Sequence, residues 1–273
     1  MGGPIIFIGM ETSGELRRRF HARGIECYSG DFLAADDGGE AMAYSAAGLP
    51  LGRHLVGDVF ATLDNMRAGD LWPAAAIFHP TYTYLTASAE WAFADPDFIR
   101  FPGVGYHQKV KPGTLTGRAR REARQSALDD FATIAGLDID FKVIENPGGA
   151  ISTAIGSPSQ IVQPYELGDD ASKKTGFWFL SGSWRPAAGA YIPIDRTRRV
   201  PGRLVPFERA MGRPPGRRDP AYIERWANQS DRGQNRLPPA DDRWKARSKT
   251  FPGVADAIVD LVIRQVRARG WDV

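Results

Sequence analysis

Ala74-Ala75-Ala76-Ile77-Phe78-His79-Pro80-Thr81-Tyr82 is the stretch on which the reading of this chain turns. The apolar run from Ala74 to Phe78 predicts a buried strand, and His79-Pro80 ends it abruptly. Proline fixes its own φ and pushes the preceding residue towards extended geometry, so the pair makes a stiff exit. In an open α/β sheet the carboxyl ends of strands are where ligands and chemistry sit. Tyr82 and Tyr84 follow at positions suited to lining a pocket. The plainer reading is a strand-to-loop turn with two half-buried tyrosines.

The segments before this stretch repeat the same grammar. Ile5 to Ile8 predicts a strand, Gly9-Met10-Glu11-Thr12-Ser13-Gly14 a loop, and Glu15 to Arg23 a helix with Leu16 and Phe20 on one face and Gly24 at its end. Strand, glycine-containing loop, helix is the opening of a nucleotide-binding unit, in which backbone approaches the ligand closely. A second strand from Ile25 to Tyr28 leads to Asp31, whose carboxylate suits a pair of ribose hydroxyls or, equally, a turn cap. A third, around Leu55-Val56, leads to Asp58, which suits an adenine amine or the cap of the next helix.

After the central stretch, Asp95 to Gly117 is rich in proline and glycine and reads as a loop over the strand ends. Arg118 to Ala135 predicts a helix with Ala123, Ala127, Phe131 and Ala135 inward. Arg118, Arg120, Arg121 and Arg124 crowd its first turns, an unfavourable end for positive charge unless an anion lies near. A fifth strand, Phe141 to Ile144, ends in Glu145-Asn146-Pro147, a carboxylate placed for a site. Strands are predicted over Gln160–Tyr165 and Phe177–Leu180. A final amphipathic helix puts Val254, Ile258, Leu261, Val262 and Val266 on one face.

The chain has 273 residues, enough for a full core. No apolar run reaches the ~20 residues of a membrane span, and the amino-terminal residues do not read as a secretion signal. With Cys27 as the single cysteine, an internal disulfide and a cysteine-rich metal site are excluded. No metal is expected, and a cytoplasmic setting fits best. Charge is uneven: residues 196–249 hold 15 Lys/Arg against 6 Asp/Glu, an excess of +9 in a chain of net charge +3. A basic segment beside an acidic body suggests a polyanionic partner; an arginine-rich solvated loop is the alternative.

Taken together, Glu11-Thr12-Ser13-Gly14-Glu15-Leu16-Arg17, Gly57-Asp58-Val59, His79-Pro80 with Thr83-Tyr84-Leu85-Thr86, Ile144-Glu145-Asn146-Pro147, Gln163-Pro164-Tyr165, Asp242-Arg243-Trp244-Lys245 and Ser248 to Gly253 resemble, in that order, the small DNA cytosine-5 methyltransferase-like proteins of bacteriophages. The resemblance spans almost the whole chain. It implies an α/β, Rossmann-like class I methyltransferase sheet over residues 1–195, a basic target-recognition region over 196–249, and a helix over 250–273 returning to the first part. It implies S-adenosylmethionine as cofactor, with Gly9, Glu11, Ser13 and Gly14 around its methionine part, Asp31 at the ribose and Asp58 at the adenine. Glu145 would hold a cytosine flipped out of DNA, assisted by His79, Pro80 and Tyr82. Arg118, Arg121, Lys173, Lys174, Arg217, Arg218, Arg243 and Lys245 would grip phosphates, in an infected host cell if the chain is phage-encoded. A free pyrimidine nucleotide in place of DNA also fits, as does a monomer or a homodimer.

One departure governs the chemistry. The family carries Pro-Pro-Cys after this strand, whereas Pro80-Thr81-Tyr82 puts tyrosine where the nucleophile belongs. A thiol of pKa about 8.5 is tunable to thiolate, while a phenol near 10 is bulkier and harder to ionise. Ordinary ring-carbon methylation is therefore not expected. Cys27, read near the end of the second strand, is assigned to packing. Two enzymatic readings remain: transfer to an exocyclic amine, as in enzymes with an Asp/Ser/Asn-Pro-Pro-Tyr motif, or transfer to a substituent, such as hydroxymethyl, already on carbon five of a cytosine or uracil; Glu145 favours a cytosine-type ring in both. The alternative from another class is an inactive methyltransferase-like DNA-binding protein.

Overall fold

The computed structural model describes residues 3–41, 53–86, 90–95, 113–238 and 247–272. Its centre is a mixed sheet in the order β3-β4-β2-β1-β5-β6-β8-β7. The strands are β1 (Ile6–Gly9), β2 (Cys27–Asp31), β3 (Glu40–Ala41), β4 (His54–Val56), β5 (Ala75–Phe78), β6 (Phe141–Asn146), β7 (Gln160–Val162) and β8 (Thr175–Ser181), with β9 (Arg185–Pro186) appended to β8. Strands β3 to β6 of that path run parallel, and β8 lies antiparallel to both β6 and β7. The sheet is thus Rossmann-like, with a reversed strand near one edge.

Alternation along the central strands explains the layers, because successive side chains point to opposite faces. Ile6, Ile8, Ala75, Ile77, Phe141 and Val143 meet α1 (Glu15–His21) and α6 (Pro252–Arg267) in one core. Phe7, Ala76, Phe78 and Ile144 meet α2 (Val59–Ala68) and α3 (Gly117–Gly136) in the other. Every residue of the expected α6 face is buried, and Arg19–Asp256 and Arg23–Asp260 ion pairs tie that helix to α1 and to the turn after it. In α3, Ala127, Phe131 and Ala135 are buried as expected; Ala123 is only partly covered, and Ile134 and Arg120 are buried beside them. Cys27 opens β2 rather than closing it, four residues before the carboxyl end. It lies fully buried in the α1/α6 core, which fits the packing role, and burial pushes its thiol well up.

The expected strand at 160–165 is shorter: Pro164 removes a donor, and residues 164–167 coil into a 3-10 turn capped reciprocally by Gln163 and Glu166. Between them β6 and β8 carry the short helix α4 (Ala150–Ala154). The basic region forms a two-stranded antiparallel sheet, β10 (Arg203–Pro206) with β11 (Tyr222–Arg225), and a short helix α5 (Phe207–Met211). Trp226 stacks on Tyr165 at 3.9 Å and donates to the Val200 carbonyl, docking this unit against the body. Most of the expected loop at 95–117, together with Arg243, Trp244 and Lys245, lies outside the described residues.

Candidate active site

Strand register builds the site. Gly9 pairs with Gly30 and Phe78, and Phe78 with Ile144. The next residue on each strand therefore emerges at one level along the carboxyl edge: Met10, Asp31, His79 and Glu145. All four line a cavity of about 310 Å³, together with Glu11, Ser13, Asp36, Pro80, Tyr82, Lys173 and residues 248–250. A smaller hollow of about 80 Å³ adjoins it between Met10, Asp31, Phe32, Asp58, Val59 and Phe60. Met10 adopts φ 62°, a left-handed turn unusual for a side-chain-bearing residue, and so faces both spaces.

The loop after β1 is organised by Glu11, which is buried and accepts from the Ser13 hydroxyl and from the Gly14 amide. Two glycines expected at the cofactor are also demanded by packing. A Cβ on Gly9 would sit 2.6 Å from the Phe78 ring, so the position lets Phe78 close over β1. Gly14 has φ 66°, and a Cβ there would lie 2.1 Å from Asp37, itself paired with buried Arg17. Neither glycine lines the cavity. Asp31 faces both spaces while one oxygen accepts from the Leu33 amide, so the cavity-lining side chain also caps its own turn. Asp58 likewise borders the smaller hollow and N-caps α2 through the Ala61 amide at 2.8 Å.

At the other wall, two loops are sewn together. The Asn146 amide, wholly buried, donates to the Pro80 carbonyl at 3.0 Å, and the Ala150 amide donates to the Leu85 carbonyl at 2.8 Å. Gly149 permits this approach, since a Cβ there would meet the Leu85 oxygen at 2.2 Å. Glu145 and His79 are thereby fixed face to face, with His79 Nδ1 2.8 Å from Glu145 Oε2. The contact is close in distance but not aligned as a hydrogen bond, because Oε2 keeps no hydrogen-bond partner, nor does His79 Nε2. Buried polar groups without partners are rare and mark a place for a ligand or a strain.

Lys173, expected on the phosphate-binding surface, stands inside the cavity with Nζ 3.6 Å from Glu145 Oε1. Burial pushes the Glu145 carboxyl up, but Lys173 first and His79 next outweigh it and hold the pKa at about 2. Glu145 is thus an ionised acceptor at neutral pH. Tyr82 goes the other way: burial pushes its phenol up, against Arg247 and with help from Glu145. Tyr82 thus faces the cavity as a neutral phenol at neutral pH.

The crowded arginines of α3 find their anions within the chain. Asp95 accepts from the Arg118 amide and from Arg121, Glu90 pairs with Arg124, and Glu122 with Arg118. Arg120 turns inward over Phe93 and Tyr84. Arg118 and Arg121, expected at phosphates, are exposed and here pair with carboxylates of the chain itself. Lys174, Arg217 and Arg218 are exposed, the two arginines in the loop between α5 and β11. In that region Arg199 is paired with Glu224, and Arg203 and Arg209 with Asp231.

Among the described residues, no group of three or more His, Cys, Asp or Glu is arranged to hold a metal, and no helix is long and apolar enough to cross a membrane. No family model matches the chain, and no curated protein matches it significantly.

Proposed function

We propose that this chain is an S-adenosylmethionine-dependent transferase of the methyltransferase class that modifies a pyrimidine base in DNA without a cysteine nucleophile. The observation that carries this reading is the shared cavity: a buried acidic grip, Glu145 with His79, lies in one space with the Glu11–Ser13 loop and Asp31. The parallel strand order with β8 reversed beside β6 supports the class.

The residues present fit the cofactor. Asp31 suits the ribose hydroxyls, and the smaller hollow, walled by Met10, Val59 and Phe60 with Asp58 at its rim, suits a flat heteroaromatic ring. Acidic Glu11 and Asp36 in the larger space favour a cationic group. When bound, such a donor supplies an electrophilic methyl group. The chain's own work is placement. Glu145 accepts from the polar edge of an extruded base, Tyr82 offers a ring face, and the clamped 79–85 and 145–150 loops keep that grip in register. Lys174, Arg217 and Arg218, all exposed, would meet phosphates, and Asp31 and Asp58 would hold the donor.

The test combines calorimetry with S-adenosylmethionine and mass analysis of digested DNA from cells making the protein, with plain and with hydroxymethylated genomes. Donor binding and a modified pyrimidine support the reading. DNA binding without donor heat indicates an inactive module.

A further inference from the structure

A separate cleft of about 600 Å³ opens in the basic region between β10, α5 and the turn over residues 229–235. Arg203, Arg209, Arg232 and Arg236 line it around one carboxylate, Asp231, an excess of three positive charges. The backbone beneath them is fixed. The Ser230 amide donates to the Gln234 carbonyl at 2.8 Å, and the Gln234 amide donates to the Ser230 hydroxyl at 3.1 Å. Arg225 Nε donates to the Asp231 carbonyl at 3.1 Å, tying this turn to β11. Strand register sets Arg203 directly opposite Arg225, a like-charge pair that costs stability unless an anion lies near. Asp231 is such an anion, its two oxygens divided between Arg203 and Arg209. The carboxylate is sheltered at 20% exposure, whereas the Arg203 and Arg209 side chains are 51% and 72% exposed. Each gives one nitrogen to Asp231, which leaves most of its N–H groups open. Arg232 and Arg236 are exposed and pair with no carboxylate among the described residues.

Resting on the reading that the chain acts on DNA, we propose that this cleft grips the phosphodiester backbone of the duplex, with Asp231 as its built-in counter-ion. Guanidinium groups hold phosphate oxygens with paired, charge-assisted hydrogen bonds, and four of them converge here. Arg232 and Arg236 supply charge that nothing in the cleft neutralises. Asp231 keeps Arg203 and Arg209 in place and, as a like charge, weakens the grip on a phosphate. The site is blind to sequence, since backbone contacts position a duplex without reading it. It is also joined to the cavity. The Arg236 amide donates to the Asn228 carbonyl at 3.0 Å. The Asn228 side chain accepts from the Ser172 amide at 3.0 Å and donates to the Ser172 carbonyl at 2.9 Å, one residue before Lys173 in the cavity wall. A backbone held in the cleft is thereby kept in register with a base in the cavity.

The experiment titrates two fluorescent DNA duplexes of unrelated sequence with the full chain, reading anisotropy from about 50 to about 200 mM salt. Arg232→Ala and Arg236→Ala should each lower the slope of log affinity against log salt by about one, equally on both duplexes. Asp231→Asn should bind about two- to tenfold tighter at the lowest salt, the effect of removing one charge about 6 Å from a phosphate at an effective dielectric of about 40 to 80. Unchanged slopes in both arginine variants, or an Asp231→Asn chain of unaltered melting temperature that binds no tighter, overturn the inference while leaving the DNA reading intact. If Asp231→Asn melts lower, the arginine slopes decide alone. Tighter binding of an RNA duplex of the same sequence, with the same arginine dependence, overturns DNA as the occupant. The expected slopes in a chain that takes up no S-adenosylmethionine sustain the cleft and overturn the transferase. No duplex binding by the parent chain at the lowest salt overturns both.

Discussion

Glu145→Gln removes the charge that Lys173 and His79 face while keeping the side chain's shape. The folded carboxyl titrates at about 2, against 4.5 for an unperturbed glutamate. At about 1.4 kcal/mol for each tenfold difference in proton affinity, ionised Glu145 contributes on the order of 3 kcal/mol to stability at neutral pH. Because the folded pKa is the lower one, that contribution is complete above about pH 4.5 and disappears as pH falls towards 2. Urea unfolding followed by tryptophan fluorescence should find the Gln variant less stable by on the order of 3 kcal/mol at pH 7. The gap should narrow to about 2 kcal/mol at pH 3.5. Removing charge from water is expensive, and replacing a buried ionic group often stabilises a protein. A Gln variant as stable as the parent at pH 7, or more so, would refute the claim that Lys173 and His79 overcome burial at this position.

Tyr82→Phe should keep modification rates within about tenfold of the parent, since a neutral phenol is replaced by a ring of the same shape, whereas Tyr82→Ala should weaken base binding by the ~1–3 kcal/mol of a lost stack. Single-turnover rates and duplex titrations check both, and abolition of activity in Tyr82→Phe would mean the hydroxyl takes part. Asp31→Ala should cut donor affinity tenfold or more, while Asp58→Ala should mainly lower stability by the ~0.5–2 kcal/mol of a lost helix cap; calorimetry and thermal melting separate the two. Gly9→Ala should destabilise the fold by about 1–3 kcal/mol through overlap with Phe78, measured by chemical unfolding. Arg217→Ala and Arg218→Ala should each lower the salt slope of DNA binding by about one and leave base preference alone, whereas Arg118→Ala should leave that slope unchanged.

What was legible in the sequence was whatever is written locally. Apolar runs closed by turn chemistry placed β1, β5 and β6 and the α6 face, and a carboxylate or histidine just past each run marked His79, Asp31 and Glu145. Partnerships across the chain were not legible. Asn146 holds Pro80, 66 residues away, and Asp95 neutralises the start of α3 from 23 residues upstream. In sequence Lys173 is one of two adjacent lysines expected at phosphates. Only the antiparallel register of β8 on β6, which sets Gly176 opposite Asn146, brings it to the end of β6 beside Glu145. The packing at Gly9 and Gly14 is hidden for a related reason: sequence shows that a side chain is missing, not which neighbour fills the space.

The wall formed by residues 248–250 has a consequence for synthesis. The edge contributed by β1, β2, β5 and β6 is translated early, yet the carbonyls that hold Lys173 come just before α6. A ribosome-bound chain therefore carries an open trough until that segment emerges. A partial chain that stops short of residue 248 lacks that wall of the cavity.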